Sequence, residues 1–289
     1  ELFYKANGMK LGDVAQSMTM HDGKLWIVVN NSHVIFSVDA NTLKETGRIV
    51  NLPSPRFIHF VTNEKAYVTQ LWDNCIYVVN PRTHQITGSI EVPDMNRESG
   101  STEQMVQCGK YVYCTCWSYQ NKVLKIDTET DRIVAQAPVG LQPKSIALDI
   151  NNGLWVMTDG GFNGSPTGRE APTICLLDTA DMSIKRKIRF NPDDTPTSMQ
   201  MNASRDTIYW INNDVWRMCV NDSRIPENPV IKSTGTRFYQ LTVSPYDGDI
   251  YVADAIDYQQ PGIVYRYTSS GLFKSKFRTG VTPSDFCWK

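Results

Sequence analysis

The sequence lacks an excess of either charge, a long hydrophobic run and any amphipathic helical pattern of useful length. Its 289 residues carry 29 Lys and Arg against 30 Asp and Glu. No basic field is therefore available to hold a phosphate backbone, which argues against nucleic acid as a partner. No apolar run approaches the roughly 20 residues that a membrane-spanning helix needs, so no transmembrane segment is predicted.

Cysteine and histidine are too few and too scattered to indicate a metal or catalytic centre. The seven cysteines include no Cys-x-x-Cys pair, and Cys114 and Cys116 lie two apart in a strand-like run. That spacing suits neither a disulfide nor a metal pair, so free thiols are predicted. With four histidines and no nucleophile elbow, zinc motif or phosphate loop, the sequence predicts a protein that is not an enzyme and holds no metal or cofactor.

What the chain does contain is a repeat made of short strands. An apolar strand that ends in Asp or Asn recurs, and a tight turn follows it. Such turns are typical of Asp and Asn, because their short side chains bond the backbone two or three residues further on. The copies are Val34–Asp39, Ile76–Asn80, Val123–Asp127 and Ile174–Asp178, with looser ones at Val215–Val220 and Val264–Thr268.

A second repeated strand sets the number of units. Its third residue is always large and apolar, and its fifth is apolar in six of seven copies. This alternation is the period of a half-buried strand. Seven copies predict the innermost strands of an all-β, seven-bladed β-propeller. The copies begin at Gln16, Arg56, Glu103, Lys144, Thr197, Tyr239 and Ser284.

The seventh blade is predicted to be shared between the two chain ends. Ser284–Trp288 would be its innermost strand and Glu1–Gly8 its outermost strand, with the two middle strands missing. Blades of about 45 residues then predict that roughly 30 residues are absent upstream of Glu1. The expectation is one N-terminally truncated propeller domain over residues 1–289, with six complete blades and an incomplete seventh.

Ligand binding is expected at the loops on one end of the blades. The loops between the second and third strands of a blade, and those that lead into the next blade, share one side, here called the loop face. These loops vary and carry aromatic, amide and charged side chains, which suit a large amphipathic ligand. The predicted ligand-binding residues are Asn31, His33, Arg56, Trp72, Asp73, Arg97, Glu103, Trp117, Tyr119, Phe162, Arg169, Asn213, Tyr239 and Tyr258.

The remaining tryptophans are predicted to lie in the core, because they fall inside strand patterns. They are Trp26, Trp155, Trp210 and Trp216. Trp72, Trp117 and Tyr258 follow strand ends instead, where an aromatic side chain caps the blade core as often as it binds a ligand. Their concentration on one face favours binding.

Five runs carry a resemblance to known propellers: Gly12–Ser17, Trp26–Ser32, Ser99–Gln104, Cys116–Asn121 and Asp254–Tyr258. With the strands that end in Asp, they resemble the YncE-like, YVTN-type seven-bladed propellers. The runs are similar in particular to exported propellers of gut Gram-negative bacteria. The resemblance extends along essentially the whole chain.

Within that group, BtuG-like surface lipoproteins bind cobalamin and deliver it to an outer-membrane transporter. The resemblance therefore implies an exported ligand-capture protein at the outer-membrane surface or in the periplasm. It also implies a lipid anchor in a missing N-terminal segment, cobalamin as the large ligand and an outer-membrane transporter as a partner. The lipid-bearing cysteine of that group has no counterpart in this sequence.

Two other functions remain open from the residues. The loop face could dock a partner protein, which would make the chain an interaction scaffold. Alternatively, His33 or His59 could act with Glu103 as an acid–base pair, as in propeller lyases or hydrolases.

Overall fold

Twenty-three β-strands form six antiparallel sheets, the blades of a β-propeller, in the computed structural model, which describes residues 2–289. Five sheets have four strands and one has three, and the strands of every sheet are hydrogen-bonded in chain order. The chain divides into two compact units. Unit 1 holds the chain up to Gln136 together with Cys287–Lys289, and unit 2 holds Ala137–Phe286.

Unit 1 begins with the short helix α1 (Leu2–Asn7) and contains three four-stranded blades. The first blade comprises β1 (Ala15–His21), β2 (Lys24–Val29), β3 (Val34–Asp39) and β4 (Glu45–Ile49), with a 3₁₀ turn at Asn30–Ser32. The second comprises β5 (Pro55–Phe60), β6 (Ala66–Gln70), β7 (Cys75–Asn80) and β8 (Gln85–Glu91). The third comprises β9 (Thr102–Cys108), β10 (Tyr111–Cys116), β11 (Lys122–Asp127) and β12 (Arg132–Pro138).

Unit 2 contains the other three blades. The fourth comprises β13 (Pro143–Leu148), β14 (Leu154–Thr158), β15 (Thr173–Leu177) and β16 (Ile184–Arg189). The fifth has three strands, β17 (Thr197–Met201), β18 (Thr207–Asn212) and β19 (Asp214–Cys219). The sixth comprises β20 (Phe238–Val243), β21 (Ile250–Asp254), β22 (Pro261–Tyr267) and β23 (Phe273–Val281).

The turns that follow the third strands have the predicted chemistry. Asp39 Oδ1 accepts hydrogen bonds from the backbone N–H groups of Asn41 and Thr42 at 3.0 and 2.8 Å. These bonds stabilise the carboxylate and hold the pKa of Asp39 below its ordinary value. Asp127 repeats the arrangement, because its Oδ1 accepts from the backbone N–H groups of Glu129 and Thr130 in its own turn. The repeated strand-and-turn pattern is therefore confirmed.

Hydrophobic cores lie between the sheets of each unit, and the predicted core tryptophans occupy them. Trp26, Trp155 and Trp210 are fully buried, while Trp216 is half-buried at the edge of its cluster. In unit 2, Trp155 packs with Ile174 of its own blade and with residues of the fifth blade. Trp26, Trp155 and Trp210 lie on middle strands, and Trp216 lies on β19, the last strand of the fifth blade.

The prediction of a seventh blade is wrong, because residues 2–289 form six blades. The segment predicted as its outermost strand, Glu1–Gly8, contains helix α1 over Leu2–Asn7. Gly8 follows the helix in a bend, and Glu1 lies outside the described residues. Phe3 is buried against Phe36 with ring centroids 5.2 Å apart. Asn7 closes the helix, because its amide donates to the carbonyls of Phe3 and Leu43 and accepts from Glu45 N–H. An apolar face alone does not distinguish one helical turn from a short strand.

The segment taken as the seventh innermost strand, Ser284–Trp288, forms no strand. The residues of this segment are half-buried. A strand also needs a partner for its backbone groups, and no sheet within residues 2–289 includes this segment. The Asp285 carboxylate accepts a hydrogen bond from the backbone N–H of Phe286, the next residue, at 2.9 Å. The assignment of residues 1–289 to one truncated domain stays a prediction.

Candidate functional site

Every innermost strand is interrupted by a β-bulge near its first residue, at the end that belongs to the loop face. In each case the strand has one more residue than its partner over the irregular step. A bulge breaks the regular alternation and turns the extra side chain away from the direction that the ladder would give it. The residues at these steps are Gln16, Arg56 and Glu103 in unit 1, and Lys144, Ser198 and Tyr239 in unit 2.

The three bulge residues of unit 1 form one hydrogen-bonded chain. Arg56 Nε and Nη2 donate to the two carboxylate oxygens of Glu103 at 2.9 and 3.2 Å, and Arg56 Nη1 donates to Gln16 Oε1 at 2.6 Å. Ser101 adds a hydrogen bond to Glu103 at 2.9 Å. The side chain of Glu103 is only 1% exposed and that of Arg56 12%, so the ion pair is desolvated and fixed in a bidentate geometry.

Two tryptophans flank the segment that leads into β9. Trp72 N–H donates to Gly100 O at 2.7 Å, and Trp117 N–H donates to Ser101 O at 2.9 Å. The Arg56 guanidinium lies 5.9 Å from the ring centroid of Trp117, a cation–π contact. Trp72 is 60% exposed. Backbone hydrogen bonds to Gly100 and Ser101 therefore hold the exposed Trp72 and the cation-contacting Trp117 at adjacent residues.

A second ion pair lies beside Trp72. Asp73 is buried and accepts hydrogen bonds from Asn74 N–H at 2.8 Å and from the Tyr77 hydroxyl at 3.1 Å. The exposed Arg97 approaches it at 3.5 Å. Burial, followed by the nearby charge of Asp73, raises the pKa of Tyr77 to about 12. Arg56, Trp72, Asp73, Arg97, Glu103 and Trp117 are here called the loop-face cluster.

Several loop-face side chains project from residues in the left-handed backbone region. His33, Trp72 and Tyr119 in unit 1 have φ values of 56°, 57° and 55°. Asn213 and Tyr258 in unit 2 have φ values of 57° and 64°. This region is costly for large side chains, and strained residues cluster at binding sites. All five belong to the predicted ligand-binding set.

The structure places the other predicted residues of unit 1 outside the cluster. Asn31 is exposed and donates to Asp13 Oδ2 at 3.0 Å. His33 forms a short hydrogen bond with the carbonyl of Pro53. Tyr119 is half-buried in the loop after β10. Asn31 and His33 therefore bond to residues outside the loop-face cluster.

Of the predicted residues of unit 2, Asn213 lies between β18 and β19, and the other four fall into two groups. Phe162 and Arg169 lie in the long loop between β14 and β15, where Arg169 bonds the carbonyl of Pro192 at 2.6 Å and the carboxylate of Asp193 at 3.1 Å. Tyr239 and Tyr258 meet edge to face with ring centroids 5.6 Å apart. The contacts of Arg169 fix its loop, whereas the two tyrosines form an exposed aromatic surface.

The hydrogen bonds of Glu103 do not join it to His33 or His59, the two histidines that the sequence offered as its acid–base partners. Its carboxylate is bound by Arg56 and Ser101. His59 shares a hydrogen bond with Gln107 Oε1 at 3.0 Å, and His33 bonds a backbone carbonyl. Within residues 2–289, no group of three or more His, Cys, Asp or Glu side chains is arranged to hold a metal ion.

His59 makes stability depend on pH. Burial lowers the pKa of its imidazole below the ordinary value, although the Gln107 bond opposes the shift. The unfolded chain therefore binds more protons than the folded protein below about pH 6.5, so stability falls as the pH drops through that value. Urea unfolding at about pH 7 and pH 5 should show a smaller loss for His59→Gln than for the unaltered protein. An equal loss in both proteins would contradict this assignment.

Two classes of residue were missed from the sequence. Gln16 and Lys144 stand at the first position of the aligned innermost strands, the position that also holds Arg56 and Glu103. That shared position was the available signal. Arg237 was missed as well, although it directly precedes β20 and lies beside Tyr258.

No helix within the described part of the chain is long and apolar enough to cross a membrane.

Comparison with solved structures shows the fold. The chain is 16% identical to the hydrazine synthase of Kuenenia stuttgartiensis, covering 94% of this chain and 89% of that one with a TM-score of 0.70. It is 14% identical to a quinoprotein alcohol dehydrogenase-like protein from Bacteroides thetaiotaomicron, with 96% and 70% coverage and a TM-score of 0.70. A chain of the mitotic checkpoint complex gives 6% identity, 94% and 82% coverage and a TM-score of 0.71.

These likenesses establish a β-propeller similar to quinoprotein alcohol dehydrogenase-like propellers. No curated protein matches the sequence. One family matches residues 1–271, which is most of the chain. The protein therefore belongs to the family described as a domain of unknown function, DUF5074.

Proposed function

We propose that the protein is a ligand-capture protein of the cell envelope and that its loop-face cluster binds cobalamin. The exposure of Trp72 on a rigid, strained support is the observation that carries the proposal. A 60% exposed indole contributes little to folding, yet its φ of 57° costs conformational energy. A ligand that covered the indole would use a side chain already held in position, which lowers the entropic cost of binding.

The neighbours of Trp72 supply the polar part of the site. The main chain of Gly100 holds the Trp72 backbone, and the next residue holds Trp117, which in turn contacts the Arg56 guanidinium. Cobalamin combines a broad apolar ring edge with peripheral amide groups. Aromatic faces suit the ring edge, and the exposed Arg97 guanidinium supplies donors for the amide oxygens. The buried Asp73 and the buried pair of Arg56 and Glu103 hold Arg97 and Trp117 in position. The resemblance to BtuG-like lipoproteins supports the same ligand.

The cellular part of the proposal rests on that resemblance alone. The protein would be exported, anchored by lipid at the outer-membrane surface or held in the periplasm, and would pass its ligand to an outer-membrane transporter. Protease treatment of intact cells tests the surface location. Digestion of the protein in whole cells supports a surface location, and protection until the outer membrane is opened supports the periplasm.

Replacement Trp72→Ala should weaken cobalamin binding by about tenfold or more without changing the folded state, because the indole is exposed and central to the cluster. Calorimetric titration of the unaltered protein and the variant measures the difference. Tyr246→Ala is the matched control, since Tyr246 is also an aromatic residue that is more than half exposed, in the turn between β20 and β21.

Two outcomes of that titration and one outcome of a pull-down against envelope proteins separate the possible functions. Loss of affinity in Trp72→Ala with an unchanged Tyr246→Ala supports capture at the loop-face cluster. No binding of cobalamin to the unaltered protein at micromolar concentrations removes cobalamin as the ligand. Capture of an envelope protein that is lost in Trp72→Ala, in the absence of cobalamin binding, would favour the interaction scaffold instead.

A further inference from the structure

Unit 2 has an aromatic and cationic surface of its own, which is separate from the loop-face cluster. It consists of Arg237, Tyr239 and Tyr258, here called the tyrosine platform. The Arg237 guanidinium lies 5.8 Å from the ring centroid of Tyr258, and the two tyrosine rings meet at an angle of 82°. Arg237 is exposed and forms no ion pair with any residue from 2 to 289. Its donors are therefore open to an anion.

The backbone below the platform is held firmly. Asp254 is buried, and its Oδ1 accepts hydrogen bonds from Arg237 N–H at 3.2 Å and from Ile256 N–H at 2.8 Å. Ile256 and Tyr258 both have left-handed φ values, 55° and 64°. A β-branched residue in that region is a true outlier, and such strain persists only where the surroundings impose it. The platform is thus built in advance of any ligand.

An open hollow of about 440 Å³ adjoins the platform. Its lining consists of Asn213, Ser233, Gly235, Thr236, Arg237 and Phe238. Gly235 has no atom within 4 Å of the position that a Cβ would take, so the wall is open on that side. Asn213 contributes an amide to this lining, and the Thr236 hydroxyl donates to the Ser233 carbonyl and keeps its lone pairs to accept from a ligand hydroxyl.

From these features we infer that the tyrosine platform binds an acidic sugar, a hexose ring that carries a carboxylate. The Arg237 fork matches a carboxylate with two parallel hydrogen bonds, and a stacked guanidinium keeps that geometry. The exposed tyrosine rings match the apolar face of the sugar ring, and the polar wall of the hollow matches its hydroxyls. A single cation favours a singly charged carboxylate over a phosphate, whose sites gather several donors.

Titration with glucuronate, glucose and glucose 6-phosphate tests the inference, because the three share a ring and differ in their charge. Glucuronate should bind at about millimolar affinity and about tenfold more tightly than glucose, because glucose has no carboxylate for the Arg237 guanidinium to bond. Arg237→Gln should remove this difference. Arg189→Gln is the matched control, since Arg189 is an exposed arginine of unit 2 on strand β16.

The outcomes are unambiguous. A preference for glucuronate that disappears in Arg237→Gln and persists in Arg189→Gln supports the inference. Equal binding of glucuronate and glucose, no binding of either sugar, or an unchanged preference in Arg237→Gln would overturn it. Tighter binding of glucose 6-phosphate than of glucuronate would overturn the carboxylate assignment. None of these results depends on cobalamin, so the two proposals fail independently.

Discussion

Trp155→Ala should lower the free energy of unfolding by about 3–5 kcal/mol, the range for truncating a large buried aromatic residue. Trp155 is completely buried and packs with Ile174, Ile188 and Trp210. Its indole Nε1 donates to Asp149 Oδ2 at 2.9 Å. Truncation would therefore leave a cavity and also remove a hydrogen bond from a buried carboxylate. Urea unfolding of the purified variant measures the loss.

Trp72→Ala provides the control, because it removes the same side chain from an exposed position. Its free energy of unfolding should change by no more than about 0.5 kcal/mol. If Trp155→Ala does not fold, Trp155→Phe keeps the comparison measurable, with an expected loss of about 1–2 kcal/mol. Equal losses at the two positions would show that the distinction between core and loop-face tryptophans is wrong.

Glu103→Ala is expected to cost about 3 kcal/mol of stability, because it leaves the Arg56 guanidinium without its buried partner. The pair is bidentate and almost completely desolvated. Ligand affinity should fall as well, since Arg56 would be free to leave the face of Trp117. Chemical unfolding gives the first quantity and cobalamin titration the second.

The exposed pair of Arg82 and Glu64 is the matched control for this change. Its N–O distance is also 2.9 Å, but both side chains are more than half exposed. Glu64→Ala should therefore change stability by less than about 1 kcal/mol. The double variant Arg56→Met/Glu103→Ala should cost less than the sum of its two single changes. Additive losses would mean that the buried pair is not coupled.

Local patterns were enough to predict the blades. The strand Val34–Asp39 was located to the residue, because its apolar run is bounded by a turn whose Asp39 bonds its own backbone. The burial of Trp26 and Trp155 followed from the same patterns. These features depend on neighbours in sequence, which is the information that a single chain supplies.

The number of blades depends on which segments pair their backbone groups in a sheet, and a single sequence does not show that pairing. Ser284–Trp288 has the alternation of an innermost strand, but alternation describes only which side chains are buried. Helix α1 likewise buries Phe3 with one face, as a strand would. Pairing of backbone groups decides between these structures, and it is set by distant residues.

The candidate site was predictable in its residue types but not in its geometry. Arg56, Glu103 and Trp117 were selected separately from their loop-face positions, and the structure joins them through an ion pair and a cation–π contact. The bulges that turn Arg56 and Glu103 together have no sequence signature of their own. The left-handed backbone of Trp72 was equally invisible, since glycine rather than tryptophan is expected there.

A crystal structure of the protein grown with cobalamin would test the central claim most directly. The proposal predicts corrin density against the exposed face of Trp72, with Trp117 and Arg97 in contact with the ligand. Density elsewhere on the molecule, for example on the tyrosine platform, would contradict it. An absence of ligand density at the loop-face cluster, at a cobalamin concentration that saturates the protein in solution, would also contradict the proposal.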